Sequence, residues 1–153
     1  MAKVISKMAV GSAAFSDMKY ADVIPTHVID KMLTAEADVI QPKIQAGATN
    51  KLRGRYWTGK TASSIYRKAP HNYRRNGQRQ ITLTFRGTRP NGRKRKRNAE
   101  VAFVNEYGAT NLPTGKKLRA RPFIQEGIDE RAAQAFDNAE AIYDEWLREE
   151  KMI

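Results

Sequence analysis

The stretch Gln80-Ile-Thr-Leu-Thr-Phe-Arg-Gly-Thr-Arg-Pro-Asn-Gly-Arg-Lys-Arg-Lys-Arg-Asn-Ala-Glu-Val-Ala-Phe-Val-Asn-Glu-Tyr107 decides the fold. Its first seven residues alternate strictly, with Ile81, Leu83 and Phe85 on one face and Thr82, Thr84 and Arg86 on the other, the period of a half-buried strand. Residues 99–107 alternate again, Val101, Phe103 and Tyr107 against Glu100, Ala102, Val104 and Glu106. Two such runs are expected to pair as an antiparallel hairpin. Their connection, Gly87 to Asn98, is longer than ordinary hairpin loops, and long loops in compact domains tend to be functional or disordered. At its tip stand Arg89, Arg93, Lys94, Arg95, Lys96 and Arg97, six cations with no acidic residue among them.

Helices are expected on both sides of this hairpin. Upstream, Pro25 suits a helix start, and Val28, Met32, Ala35 and Val39 recur at three- and four-residue steps. Pro42 is expected at or near the end of that helix, because an internal proline removes a backbone hydrogen bond and crowds the preceding turn. Residues 46–55 read as a polar connection. Thr58 to Ile65 suggests a short helix capped by Thr58, followed by an extended basic segment. Downstream, 108–119 reads as a second long loop and Pro122 as the first turn of a final helix. Ile124, Ile128, Ala132, Ala135, Phe136, Ala139, Ile142, Tyr143 and Trp146 form its apolar stripe, opposite an acidic face. The fold class is therefore α+β, a small antiparallel sheet packed with a long N-terminal helix and a C-terminal helix, carrying a long basic hairpin loop. Residues 1–20 read as an N-terminal arm, a candidate mobile segment, and 21–153 as a single domain; 153 residues can bury one modest core without staples.

Charge narrows the partner. The net charge is +12, and residues 1–124 hold 25 basic and 7 acidic side chains against 3 and 9 in 125–153. A basic body with an acidic tail points to a polyanion, and the basic run to non-specific phosphate attraction, since Lys and Arg neutralise phosphates without reading bases. Tyr66-Arg-Lys and Tyr73-Arg-Arg75 interleave rings with cations as single-strand binders do, but too sparsely for a stacking platform.

Catalytic chemistry has little to work with. There is no cysteine, and His27 and His71 lie far apart without a carboxylate cluster, so neither a thiolate nucleophile nor a metal ligand set is offered. Gly54-Arg-Tyr-Trp-Thr-Gly59-Lys60-Thr61 matches the P-loop spacing to the letter, yet no apolar strand feeds it and Tyr56-Trp57 crowds a loop that must approach phosphate closely. No enzyme and no cofactor are expected. Lys7 interrupts the only stretch resembling a signal peptide, and no run reaches the ~18 apolar residues of a membrane span, so a soluble, intracellularly made protein with no membrane partner is expected.

Three segments, Thr58-Gly59 with Ser64-Ile65, Val104-Asn-Glu-Tyr-Gly108 and Ala120-Arg-Pro-Phe-Ile124, together resemble the tail-completion or head-to-tail joining proteins of long-tailed double-stranded DNA bacteriophages. The resemblance spans about residues 20–150. Thr61 and Ala109 depart from the family's pattern, and the basic run is an addition to it. The resemblance implies a structural virion protein at the neck or tail end, made in the host cytoplasm, that joins head to tail or terminates the tail. It would act as a homo-oligomeric ring, a hexamer being the candidate size, beside neck, portal-side or tail-tube proteins. Glu106, Tyr107, Gly108, Arg121, Pro122 and Phe123 become the structural motif shaping the turn into the last helix. Arg89 and Arg93 to Arg97 become candidate contacts to DNA in the channel or to a partner ring. The alternative is a stand-alone basic nucleic-acid-binding protein.

Overall fold

The computed structural model describes residues 6–8, 24–54, 58–75, 78–111 and 113–150. Two long helices, α1 (Thr26–Lys51) and α4 (Ile124–Glu149), lie antiparallel along each other, and a small sheet packs on α1. At the centre of the sheet is β4 (Arg79–Phe85), which pairs antiparallel with β1 (Ser6–Met8), β2 (Ile65–Arg67) and β3 (His71–Asn72). The expected α+β class is what forms. A short helix, α2 (Lys60–Ser63), precedes β2, and α3 (Asn98–Tyr107) precedes α4. Among the described residues no helix is long and apolar enough to cross a membrane.

The core has two parts. Leu33, Ala37, Ile40 and Ile44 of α1 pack with Ile65, Ile81 and Leu83 of the sheet, Ala102 of α3, and Phe123 and Ile124 at the start of α4. Beyond the sheet, Val28 and Met32 meet Ala139, Tyr143, Trp146 and Leu147. The helices approach closely because Gly127 lies over Ile44: a Cβ there would stand 3.0 Å from Ile44 Cγ1 and 3.2 Å from its backbone nitrogen. Ion pairs Lys43–Glu130 and Lys51–Glu126 span the same pair of helices.

Several sequence expectations are corrected. Residues 99–107 are not a strand but most of α3, which turns Asn98, Ala102 and Glu106 inward at four-residue steps and leaves Phe103 and Tyr107 exposed. The alternation of Val101, Phe103 and Tyr107 carried no buried face. The basic run is consequently no long loop between two sheet strands; it forms its own ribbon of β5 (Thr88–Asn91) and β6 (Lys94–Arg97). Helix α1 continues past Pro42 to Lys51, absorbing the expected connection. Pro42 takes one donor from the exposed turn at Asp38, and burial of Ile40, Ile44 and Ala48 on either side outweighs that loss. Gly59, in a left-handed conformation at φ 71°, stands at the start of α2 in place of a Thr58 cap. The loop after α3 contains the small hairpin β7 (Ala109–Thr110) and β8 (Lys117–Leu118), and Pro122 precedes the helix it was expected to open. Along α4, Ala132 and Phe136 are exposed because α1 covers only a narrower stripe, which includes Gly127 and Leu147. Within the N-terminal arm, Ser6–Met8 adds a strand to the sheet; the rest of the arm lies outside the described residues.

Two predictions come from this core. Gly127→Ala should lose a net of about 1–2 kcal/mol in urea unfolding, because overpacking against Ile44 exceeds the helix propensity that alanine gains. Glu36, 6% exposed on α1, has its carboxyl pushed up to about 7 by burial. The unfolded chain releases that proton near 4.5. The folded state therefore binds more protons between those values, and stability should fall as pH rises from about 4.5 to 7 and level off above. Glu36→Gln should flatten that decline when the unfolding midpoint is measured across pH.

Candidate nucleic-acid interface

The β5–β6 ribbon is ordered by its own turn and by its base. Its two central turn residues are Gly92 and Arg93, and Gly92 supplies the positive φ (60°) that a two-residue hairpin needs. A glycine at the first of the two central positions is the sequence signal that marks such a turn, and Gly92 lies inside the run read as a loop. At the base, Asn98 is buried at the first position of α3. Its amide donates to the Arg86 carbonyl at 2.9 Å, and its carbonyl oxygen accepts from Arg89 Nε at 2.9 Å. Arg89 Nη2 reaches Thr61 Oγ1 at 2.6 Å.

Arg89 is thus a strut. Its guanidinium is held against α2 and α3, and burial lowers its pKa. The other five expected contacts differ from it: Arg93, Lys94, Arg95, Lys96 and Arg97 are all exposed. Arg95 donates to Thr88 Oγ1 at 2.9 Å, and none of the five has an ion-pair partner among the described residues. Side chains alternate along a strand, so Lys94 and Lys96 share one face of the ribbon, and Arg95 and Arg97 the other. Five like charges on a narrow ribbon repel one another until an anion arrives.

Elsewhere some of the basic side chains are engaged within the fold. Arg79 grips Asp30 of α1 through two bonds of 2.6 and 2.7 Å, which hold the Asp30 carboxyl below the usual range, and Arg67 pairs with Asp38. Tyr66 has Arg86 over its ring at 5.5 Å. The P-loop-like segment follows helix α1, not a strand; Lys60 opens a four-residue helix, and Thr61 is buried as Arg89's acceptor.

The motif residues meet at the far end of α3. Glu106, 4% exposed, receives the backbone N–H groups of Phe123 and Ile124 on Oε2 at 2.8 and 2.9 Å and of Gln125 on Oε1 at 2.9 Å. A carboxylate from a neighbouring helix thereby satisfies three of the four amides that open α4, where no side chain of its own provides a cap. Gly108 has φ 77°, and a Cβ there would lie 2.6 Å from the Leu118 carbonyl. Arg121 contributes its backbone, donating to Asn105 O at 2.6 Å, while its side chain and Tyr107 are exposed. Phe123 is buried edge-on to Phe85 at 6.2 Å. The Pro122 carbonyl accepts from Lys51 Nζ at 2.7 Å.

The chain matches no protein-family model, no curated protein and no solved structure. Glu106→Ala should cost about 3 kcal/mol in denaturant unfolding, since it strands the buried amides of Phe123 and Ile124 at roughly 1–3 kcal/mol each.

Proposed function

We propose that the chain is a structural, non-catalytic subunit of a tailed-phage virion, which joins head to tail or terminates the tail as a ring around the DNA channel. The observation that carries the reading is the ordered basic ribbon, five exposed cations on a two-stranded hairpin tied down at its base. A lining for a DNA channel needs cations that neutralise phosphate without reading bases, so that the duplex is held and still slides. Support also comes from the segments that carry the family resemblance, since 104–108 and 120–124 form the two sides of the Glu106 contact. In this reading the protein assembles in the host cytoplasm and sits beside other neck, portal-side or tail-tube rings.

The same ribbon favours one second reading, a stand-alone nucleic-acid-binding protein. Both readings expect duplex DNA to bind through the five free cations. The logarithm of affinity should fall with the logarithm of salt at a slope of roughly −4.5, and Arg95→Glu/Lys96→Glu should make it shallower. Electron micrographs separate them. Rings support the virion subunit, whereas single particles that bind DNA tightly one to one support the stand-alone binder. Duplex binding indifferent to salt and to the ribbon charges would refute both.

A further inference from the structure

Several large apolar side chains are only partly covered within the fold. Phe103 and Tyr107, one turn apart on α3, are 38% and 67% exposed, with ring centroids 4.9 Å apart. Leu118, 42% exposed, belongs to the same corner, because its backbone abuts Gly108, the residue after Tyr107. Lys116, Lys117, Arg119 and Arg121, next to Leu118 in the chain, are all exposed; residues 107–123 contain no acidic side chain, and a single exposed acid, Glu100, lies one turn before Phe103 on α3. The corner is an apolar knob with a cationic rim.

Helix α4 carries the opposite arrangement. Phe136 is 38% exposed, next to exposed Ala132 and Ala133, with exposed Asp129, Asp137 and Glu140 around it. Residues 126–150 hold 9 acidic and 2 basic side chains. Phe136 lies twelve residues beyond Ile124, ~18 Å along the helix axis from the end that Glu106 caps. A chain cannot fold its own corner onto this patch.

We infer that the Phe103–Tyr107–Leu118 corner of one copy docks on the Phe136 stretch of α4 in the next copy, a contact between two different patches of one chain. Charge selects this pairing. Corner against corner opposes four cations to four, and α4 against α4 opposes acid to acid; only the crossed arrangement brings complementary rims together. Exposed aromatics supply the anchors that such rims surround. A contact between unlike patches repeats from copy to copy and closes when the rotation permits, so the inference rests on the ring reading and names its joint. The basic ribbon takes no part and stays free for phosphate.

The test is sedimentation velocity from micromolar to millimolar protein. The unmodified chain should grow beyond a monomer. Phe103→Ser/Tyr107→Ser and Phe136→Ser should each weaken self-association at least about tenfold. An equimolar mixture of the two should form one-to-one dimers and nothing larger, since it offers one intact corner and one intact α4 patch. A surface variant that leaves the anchors in place gives a second measurement: Lys117→Glu/Arg119→Glu should weaken assembly, and Asp137→Lys/Glu140→Lys in the same chain should restore it. If the unmodified chain assembles and the variants assemble equally well, or the mixture stays monomeric, this joint is wrong and the ring reading survives. A chain that is monomeric over the whole range overturns both.

Discussion

The carboxylate of Glu106 lies beneath the first turn of α4 and holds three backbone N–H groups that have no partner within the helix. Unpaired, the buried ones would oppose the packing of Phe123 and Ile124, the residues that bring α4 into the core. The contact also fixes α3, because its last turn cannot rotate without withdrawing the cap. Asn98, at the other end of that ten-residue helix, ties Arg86 and Arg89 at the ribbon's base. One short helix therefore joins the start of the core helix to the exposed cations, and the ribbon is mounted on the core through α3.

Elements defined by their own hydrophobic period were legible in the sequence. The alternation of residues 80–86 corresponds to β4, and the stripe from Ile124 to Trp146 to α4. The sheet with a long helix at each end, which sets the fold class, was readable from those two and from the repeat in α1. Helix α3 was not, because two of the three residues it buries are polar. Asn98 and Glu106 are inside only because each finds hydrogen-bond partners supplied by distant segments. Such partners leave no periodic trace, so the accidental alternation of Val101, Phe103 and Tyr107 was the stronger local pattern. Pro42 misled in the opposite direction: a local rule marked an end that the long contact with α4 overrides.

At the candidate site the cations were legible and their division of labour was not. Six basic residues in a run look equivalent until Thr61 and Asn98 withdraw Arg89 to the base. The co-occurrence of 104–108 and 120–124 was visible as a resemblance, and within it Gly108 adopts a positive φ. What joins the two segments became visible only as geometry, a carboxylate on three amides.

The same geometry sorts the surplus charge. Lys43, Lys51, Arg67 and Arg79 spend theirs inside the molecule, fastening helix to helix and sheet to helix. Among the exposed cations of the described residues, two groups differ in kind. Along the ribbon, Arg93 to Arg97 form a run of charge without an apolar residue, which attracts phosphate along a backbone without fixing its register. At the corner, the cations lie beside two aromatics tilted against each other and a leucine, whose burial needs a partner of matching shape. On the proposed reading, the first suits a ligand that must slide and the second a neighbour that must stay, so the two surfaces answer separately to a moving polyanion and to fixed copies of the chain.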